Sequence, residues 1–125
     1  MSKLILDLCG GTGAWSRPYK EAGYEVINVT LPEHDVKYYC QPSNVYGILA
    51  APPCDQFSFC RTKAKRPRDL HEAMVIVKSC LDIIWICQFQ IEKDTQKKSP
   101  LAFWALENPN SMLKWFLGKP AYEFS

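Results

Sequence analysis

The chain has 125 residues, with 15 Lys+Arg against 13 Asp+Glu and a formal net charge of +2. That length fits a single domain over residues 1–125, and 47% apolar with 22% charged residues excludes global disorder. No apolar run approaches the roughly 20 residues that span a bilayer, and Asp7 interrupts the stretch a secretion signal would need, so a cytoplasmic protein without a membrane segment is expected.

Residues 3–8 are an apolar run that stops at Cys9-Gly10-Gly11-Thr12-Gly13, the pattern of a buried strand entering a glycine turn. Residues 14–22 predict a short helix, with Ser16 as cap, Pro18 in the first turn and Gly23 at the end. Residues 24–30 alternate and are rich in β-branched side chains, which predicts a second strand closed by Pro32. Residues 33–44 carry no regular pattern. Residues 46–51 read as a third strand ended by Pro52-Pro53, and 54–69 as a loop with a basic run. Over 70–91, Leu70, Met74, Val77, Leu81, Ile84, Cys87 and Ile91 recur at steps of three and four, which predicts a helix with one apolar face. A polar connection leads to a fourth strand over 101–106, stopped by Glu107-Asn108-Pro109. Strands separated by helices imply an α/β fold, a parallel sheet with helices on both faces, in which ligands bind at the strands' carboxyl ends.

The unusual segments all follow strand ends. Gly11 and Gly13 let a backbone approach a ligand closely, although the spacing is not G-x-G-x-x-G and no P-loop lysine follows. Two prolines stiffen the approach to Cys54, and a thiolate there would be a nucleophile, with Arg61, Lys63, Lys65, Arg66 and Arg68 close behind. Cys80 and Cys87 read as core residues of the long helix, while Cys9, Cys40 and Cys60 have no distinguishing context. No cysteine pair has C-x-x-C spacing and the only histidines are His34 and His71, so no metal site is expected. Glu107 is a carboxylate that burial could hold protonated, and Asn108 offers amide donors and an acceptor.

Asp7-Leu8 with its glycines, Pro53-Cys54 with Phe57-Ser58, and Glu107-Asn108 occur in the order found in DNA (cytosine-5)-methyltransferases. The chain resembles a short phage- or prophage-type member, and the likeness covers the N-terminal part of a full catalytic domain. The resemblance implies a Rossmann-like fold that binds S-adenosylmethionine through Asp7, Gly11, Gly13, Thr30, Asp35, Val36 and Pro53. It implies that Cys54 adds to C6 of cytosine, that Glu107 contacts N3 and the exocyclic amine, and that Asn108 supports their loop. DNA is the implied partner, with Ser58, Arg61, Lys63 and Lys65 at its backbone and the target base turned out of the duplex.

The chain departs from that family in several places. Asp55 stands where the family has Gln, Thr30 where it has an acid for the ribose hydroxyls, and Ala14 where it has a third glycine. The distance from the second strand to Cys54 is short. The family continues with an Arg-bearing segment and a DNA-reading region, so a C-terminally incomplete domain is expected, inactive without a C-terminal half, a partner chain or a homodimer. Two other readings stand beside this one. The chain could be a non-catalytic remnant that binds cofactor or DNA, or a Cys-dependent enzyme acting on free pyrimidine nucleotides.

Overall fold

The computed structural model describes residues 3–53, 69–89, 99–108 and 113–121. In chain order these form β1 (Leu4–Leu8), α1 (Arg17–Glu21), β2 (Glu25–Val29), β3 (Val45–Ala50), α2 (Leu70–Phe89), β4 (Phe103–Leu106) and α3 (Lys114–Leu117). The four strands make one sheet in the order β2-β1-β3-β4, and every pairing is parallel. The fold class is therefore α/β, as the alternation of strands and helices predicts.

β1 is apolar apart from Asp7, and all five of its residues are buried, because it has a strand on each side and protein on both faces. Successive side chains point to opposite faces. Leu4, Leu6 and Leu8 join Ile48 and Ala50 of β3 and Cys80, Ile83, Ile84 and Cys87 of α2 in the main core. Burying a side chain of this size contributes roughly 1.5–3 kcal/mol. On the other face, Ile5 lies beside Gly47, and Tyr19 of α1 stacks on Phe103 of β4 with ring centroids 5.8 Å apart. Tyr46 meets Phe103 edge-on and Tyr24 stacks on Tyr46, so aromatic rings extend along that face.

Four elements differ from the sequence expectation. α1 begins at Arg17 rather than at residue 14. Gly11 and Gly13 take left-handed backbone at φ 57° and 81°, which keeps the chain in turns until Ser16. Ser16 makes no side-chain cap, because its hydroxyl is committed to Asp7. The buried stripe of α2 is rotated from the predicted one. It runs through Ala73, Val77, Cys80, Ile83, Ile84 and Cys87, while Leu70, Met74 and Leu81 are only partly buried along its flank. Cys80 lies in the main core beside the sheet residues, and Ala73 packs in a second cluster with Val77 and Leu113. Ile91 lies outside the described residues. β4 begins at Phe103, two residues later than predicted, and α3 was not legible as a helix.

Gly47 makes the closest approach on the aromatic face. A Cβ there would stand 2.4 Å from the Phe103 ring and 2.9 Å from Ile5 Cδ1. Gly47→Ala is therefore expected to destabilise the fold by about 1–3 kcal/mol through overpacking. Urea unfolding of Gly47→Ala, Phe103→Leu and the double variant checks this, and the second substitution should recover part of the loss.

Candidate functional site

Parallel pairing puts all four carboxyl ends at one edge of the sheet, and backbone hydrogen bonds tie them together just past the strands. Cys9 N donates to Val29 O at 2.8 Å, Ala51 N to Leu8 O at 3.0 Å, and Glu107 N to Ala50 O at 2.8 Å. The glycine turn, Thr30, Pro52-Pro53 and Glu107-Asn108 thus follow neighbouring strand ends.

The glycine turn is held at both backbone groups of Gly11. Its N–H donates to Thr30 Oγ1 at 3.3 Å, and its carbonyl accepts from Asn28 Nδ2 at 2.9 Å. The outer side of Gly11 is open, since a Cβ built there would meet nothing within 4 Å. Gly10 is the reverse case. Its Cβ would stand 2.4 Å from Asp7 Cγ and 2.5 Å from Asn28 Oδ1. Asp7 lies wholly beneath the turn at 0% exposure, where Ser16 Oγ donates to its Oδ2 at 2.6 Å. Burial pushes the Asp7 carboxyl above the usual carboxylate range, against the opposing effect of the Ser16 hydrogen bond. Asp7 therefore underpins the turn rather than lining its outer surface.

Cys9 takes left-handed backbone at φ 59°, rare for a side chain other than glycine. The Cys80 thiol donates to its sulfur, which draws the Cys9 thiol below its ordinary value and raises that of Cys80. Cys80 and Cys87 are core residues as expected, and burial pushes the Cys87 thiol up to about 11. Asp35 is half-buried. It accepts from Lys37 N at 3.0 Å, and Lys37 Nζ lies 3.9 Å from its Oδ2 while bonding Glu72 of α2 at 3.0 Å. Val36 turns inward, 6% exposed, into the main core. The Asp35-Val36 pair is thus pinned at both residues.

At the other side of the edge, Pro52 is buried and Pro53 exposed. Asn108 Nδ2 donates to Pro52 O at 3.3 Å, which ties the segment after β4 to the approach to residue 54. Glu107 and Asn108 are both half-buried. Cys54, Ser58, Arg61, Lys63 and Lys65 lie outside the described residues, as does Cys60. Among the described residues, no helix is long and apolar enough to cross a membrane, and no group of three His, Cys, Asp or Glu could hold a metal ion. A groove lined by Gln88, Leu101, Ala102, Phe103 and Trp104 lies at the amino end of β4, away from this edge.

Gly10, Ser16, Asn28 and Cys9 are parts of the site that the sequence reading did not single out. The available signal was positional: Asp7 and Asn28 are each the fourth residue of a five-residue strand, and each interrupts an apolar run. Comparison of the chain with protein-family models, with curated proteins and with solved structures finds no match in any of the three.

The two glycines make different predictions. Gly10→Ala drives a Cβ into Asp7 and Asn28, and Gly11→Ala meets only the left-handed backbone penalty of about 1–2 kcal/mol. Thermal unfolding should therefore show Gly10→Ala as the more damaging change, although Gly10 is the glycine whose φ is not positive.

Proposed function

We propose that the chain is a methyltransferase domain of the DNA (cytosine-5) type, with S-adenosylmethionine at the glycine turn and cytosine between the segments that follow β3 and β4. The observation that carries this reading is the Asn108–Pro52 hydrogen bond, which links the Glu107-Asn108 segment to the two prolines before Cys54. The parallel order β2-β1-β3-β4 is compatible with a Rossmann-like sheet of that family. The turn also fits the cofactor by shape, since Gly11 leaves its outer face open and Thr30 presents a hydroxyl beside it.

The cofactor supplies an electrophilic methyl group on a sulfonium. The protein's own residues make the cytosine carbon reactive. The Cys54 thiolate forms a bond to C6, and the C5–C6 π electrons move onto C5. Glu107 contacts N3 and the exocyclic amine and stabilises the charge that develops across the ring. C5 takes the methyl group and loses its proton, and the electron pair left behind expels Cys54 from C6. Asn108 positions the Glu107 segment against the Pro52-Pro53 approach. Arg61, Lys63 and Lys65 neutralise phosphates, so DNA binding falls with salt.

Titration calorimetry with S-adenosylhomocysteine tests the cofactor reading. Thr30→Ala, which removes one hydrogen bond worth about 0.5–1.5 kcal/mol, should weaken binding by roughly 2- to 12-fold. Absence of binding to the parent chain would overturn it.

DNA carrying 5-fluorocytosine tests the nucleophile, because fluorine at C5 blocks the final elimination. With S-adenosylmethionine and a matching C-terminal half added, a covalent complex should form through Cys54 and be lost in Cys54→Ser. A complex through another cysteine would overturn the assignment, and a complex with the free nucleotide but not with DNA would favour a pyrimidine-nucleotide enzyme.

A further inference from the structure

Two buried oxygen atoms beneath the glycine turn have no hydrogen-bond partner: Asp7 Oδ1 and Asn28 Oδ1. Both belong to one pair. Asp7 of β1 and Asn28 of β2 are register partners in the parallel ladder, so their side chains leave the sheet on the same face. They also border the same spot, since a Cβ on Gly10 would lie within 2.5 Å of both groups. Asn28 Nδ2 donates to Gly11 O, so the amide's free hydrogen-bonding atom is the unpartnered Oδ1, which borders Gly10 beside the Asp7 carboxyl group. Two adjoining acceptors closed off from water carry a desolvation cost of about 1–3 kcal/mol each. One proton removes both costs.

We propose that Asp7 is held as the neutral acid and donates its proton to the Asn28 carboxamide oxygen, a latch that positions the Gly10–Gly13 turn. The Ser16 hydroxyl donates to the other Asp7 oxygen, and Asn28 passes the constraint on through Gly11 O. Asp7 and Asn28 thereby act as positioning residues, whichever ligand the turn receives.

The surroundings agree with a neutral carboxyl. Ser16 beneath α1, Asn28 on β2 and Leu49, the register partner on β3, are all uncharged. The titratable neighbour is the Cys9 thiol on the same turn, with Asp35 acting on that thiol from the loop after β2. Among the described residues no cation contributes to holding Asp7 ionised, and burial drives its titration upward. The linkage sign follows. The native state keeps the proton to higher pH than the unfolded chain, whose Asp titrates near 3.9. Stability from the latch is therefore complete below that value and is lost as pH rises through the folded-state titration.

The parent protein, uniformly ¹³C-labelled, tests the protonation state by NMR without any variant. The Asp7 carboxyl carbon should keep the shift of a carboxylic acid at pH 7 and titrate above the other aspartates. A carboxylate shift at pH 7 would overturn the proposal. Asn28→Ala, which deletes the acceptor, should lower the Asp7 midpoint, and an unchanged midpoint would overturn the shared proton. In Asp7→Asn an amide donor replaces the acid. Its melting temperature relative to the parent should rise between pH 4 and pH 8, whereas a flat difference would show that folding does not shift the Asp7 titration and a falling one that the native state stabilises the anion, and either would overturn the proposal. These readouts need no bound ligand, so their failure is separable from failure of the cofactor reading.

Discussion

Parallel pairing of β1 on both of its edges is the constraint from which the candidate site follows. A strand with neighbours on each side and helices over its faces has no solvent along its length, so four of its five residues are aliphatic. Parallel neighbours must all leave the sheet in the same direction. The segments after β1, β2, β3 and β4 consequently share one edge, although they are separated by up to about a hundred residues in the chain. The bonds Cys9–Val29, Ala51–Leu8 and Glu107–Ala50 continue the ladder one step past the strands and set the spacing of whatever follows. The position of Glu107 relative to the proline approach is thus settled by the sheet before any side chain of the loops is considered.

The same constraint explains where polarity is tolerated inside the sheet. The register row Asn28–Asp7–Leu49–Ala105 crosses all four strands one residue from their ends. Its members on β3 and β4, Leu49 and Ala105, are apolar, and the two polar members on β2 and β1 stand side by side under the turn. A polar group placed two rows earlier, on the same face, would sit among Ile5, Gly47 and Phe103, where aromatic rings close the face. In the row of Asp7 and Asn28 the turn itself supplies partners, as Gly11 O does for Asn28. Gly10 is required at that point for want of room, whereas Gly11 and Gly13 are required for their left-handed backbone.

Much of this was legible in the sequence because the signals are local. The apolar run of β1, the β-branched alternation of β2, the Pro52-Pro53 stop and the three-four spacing of α2 each reflect a short-range physical preference. The parallel pairing of β1 with β2 and of β3 with β4 follows from the helix between each pair, whereas β2 and β3 are joined without one. What the sequence concealed depends on tertiary contacts. Ser16 carries the signature of a helix cap, and only the fold reveals that Asp7 takes its hydroxyl. The α2 stripe shifted because tertiary packing buries Ala73 with Leu113 and Cys80 in the main core, while hydrophobic spacing alone favours Leu70, Met74 and Leu81. Cys9 had no local signature, since its partner Cys80 is 71 positions away. The Asp7–Asn28 pair needed the β1–β2 register, because neither residue alone is unusual near a strand end.

The charge state beneath the turn has consequences for what can bind above it. An ionised Asp7 would place an uncompensated negative charge under Gly10, in surroundings where water does not screen it. That charge would act on the Cys9 thiol, which Asp7 and Asp35 both push upward against the hydrogen bond from Cys80. It would also repel any anionic group brought to the turn, whether a carboxylate or a phosphate. A neutral Asp7 removes the repulsion and keeps both of its hydrogen-bonding positions in use. The exposed backbone of Gly11 and Thr12 then lies over an uncharged floor. A glutamate or aspartate in the place of Asn28 would reintroduce the charge at the same depth. The carboxamide is the side chain that can accept from Asp7 and donate to Gly11 at once, so the two strands' polar residues form one device and cannot be exchanged independently.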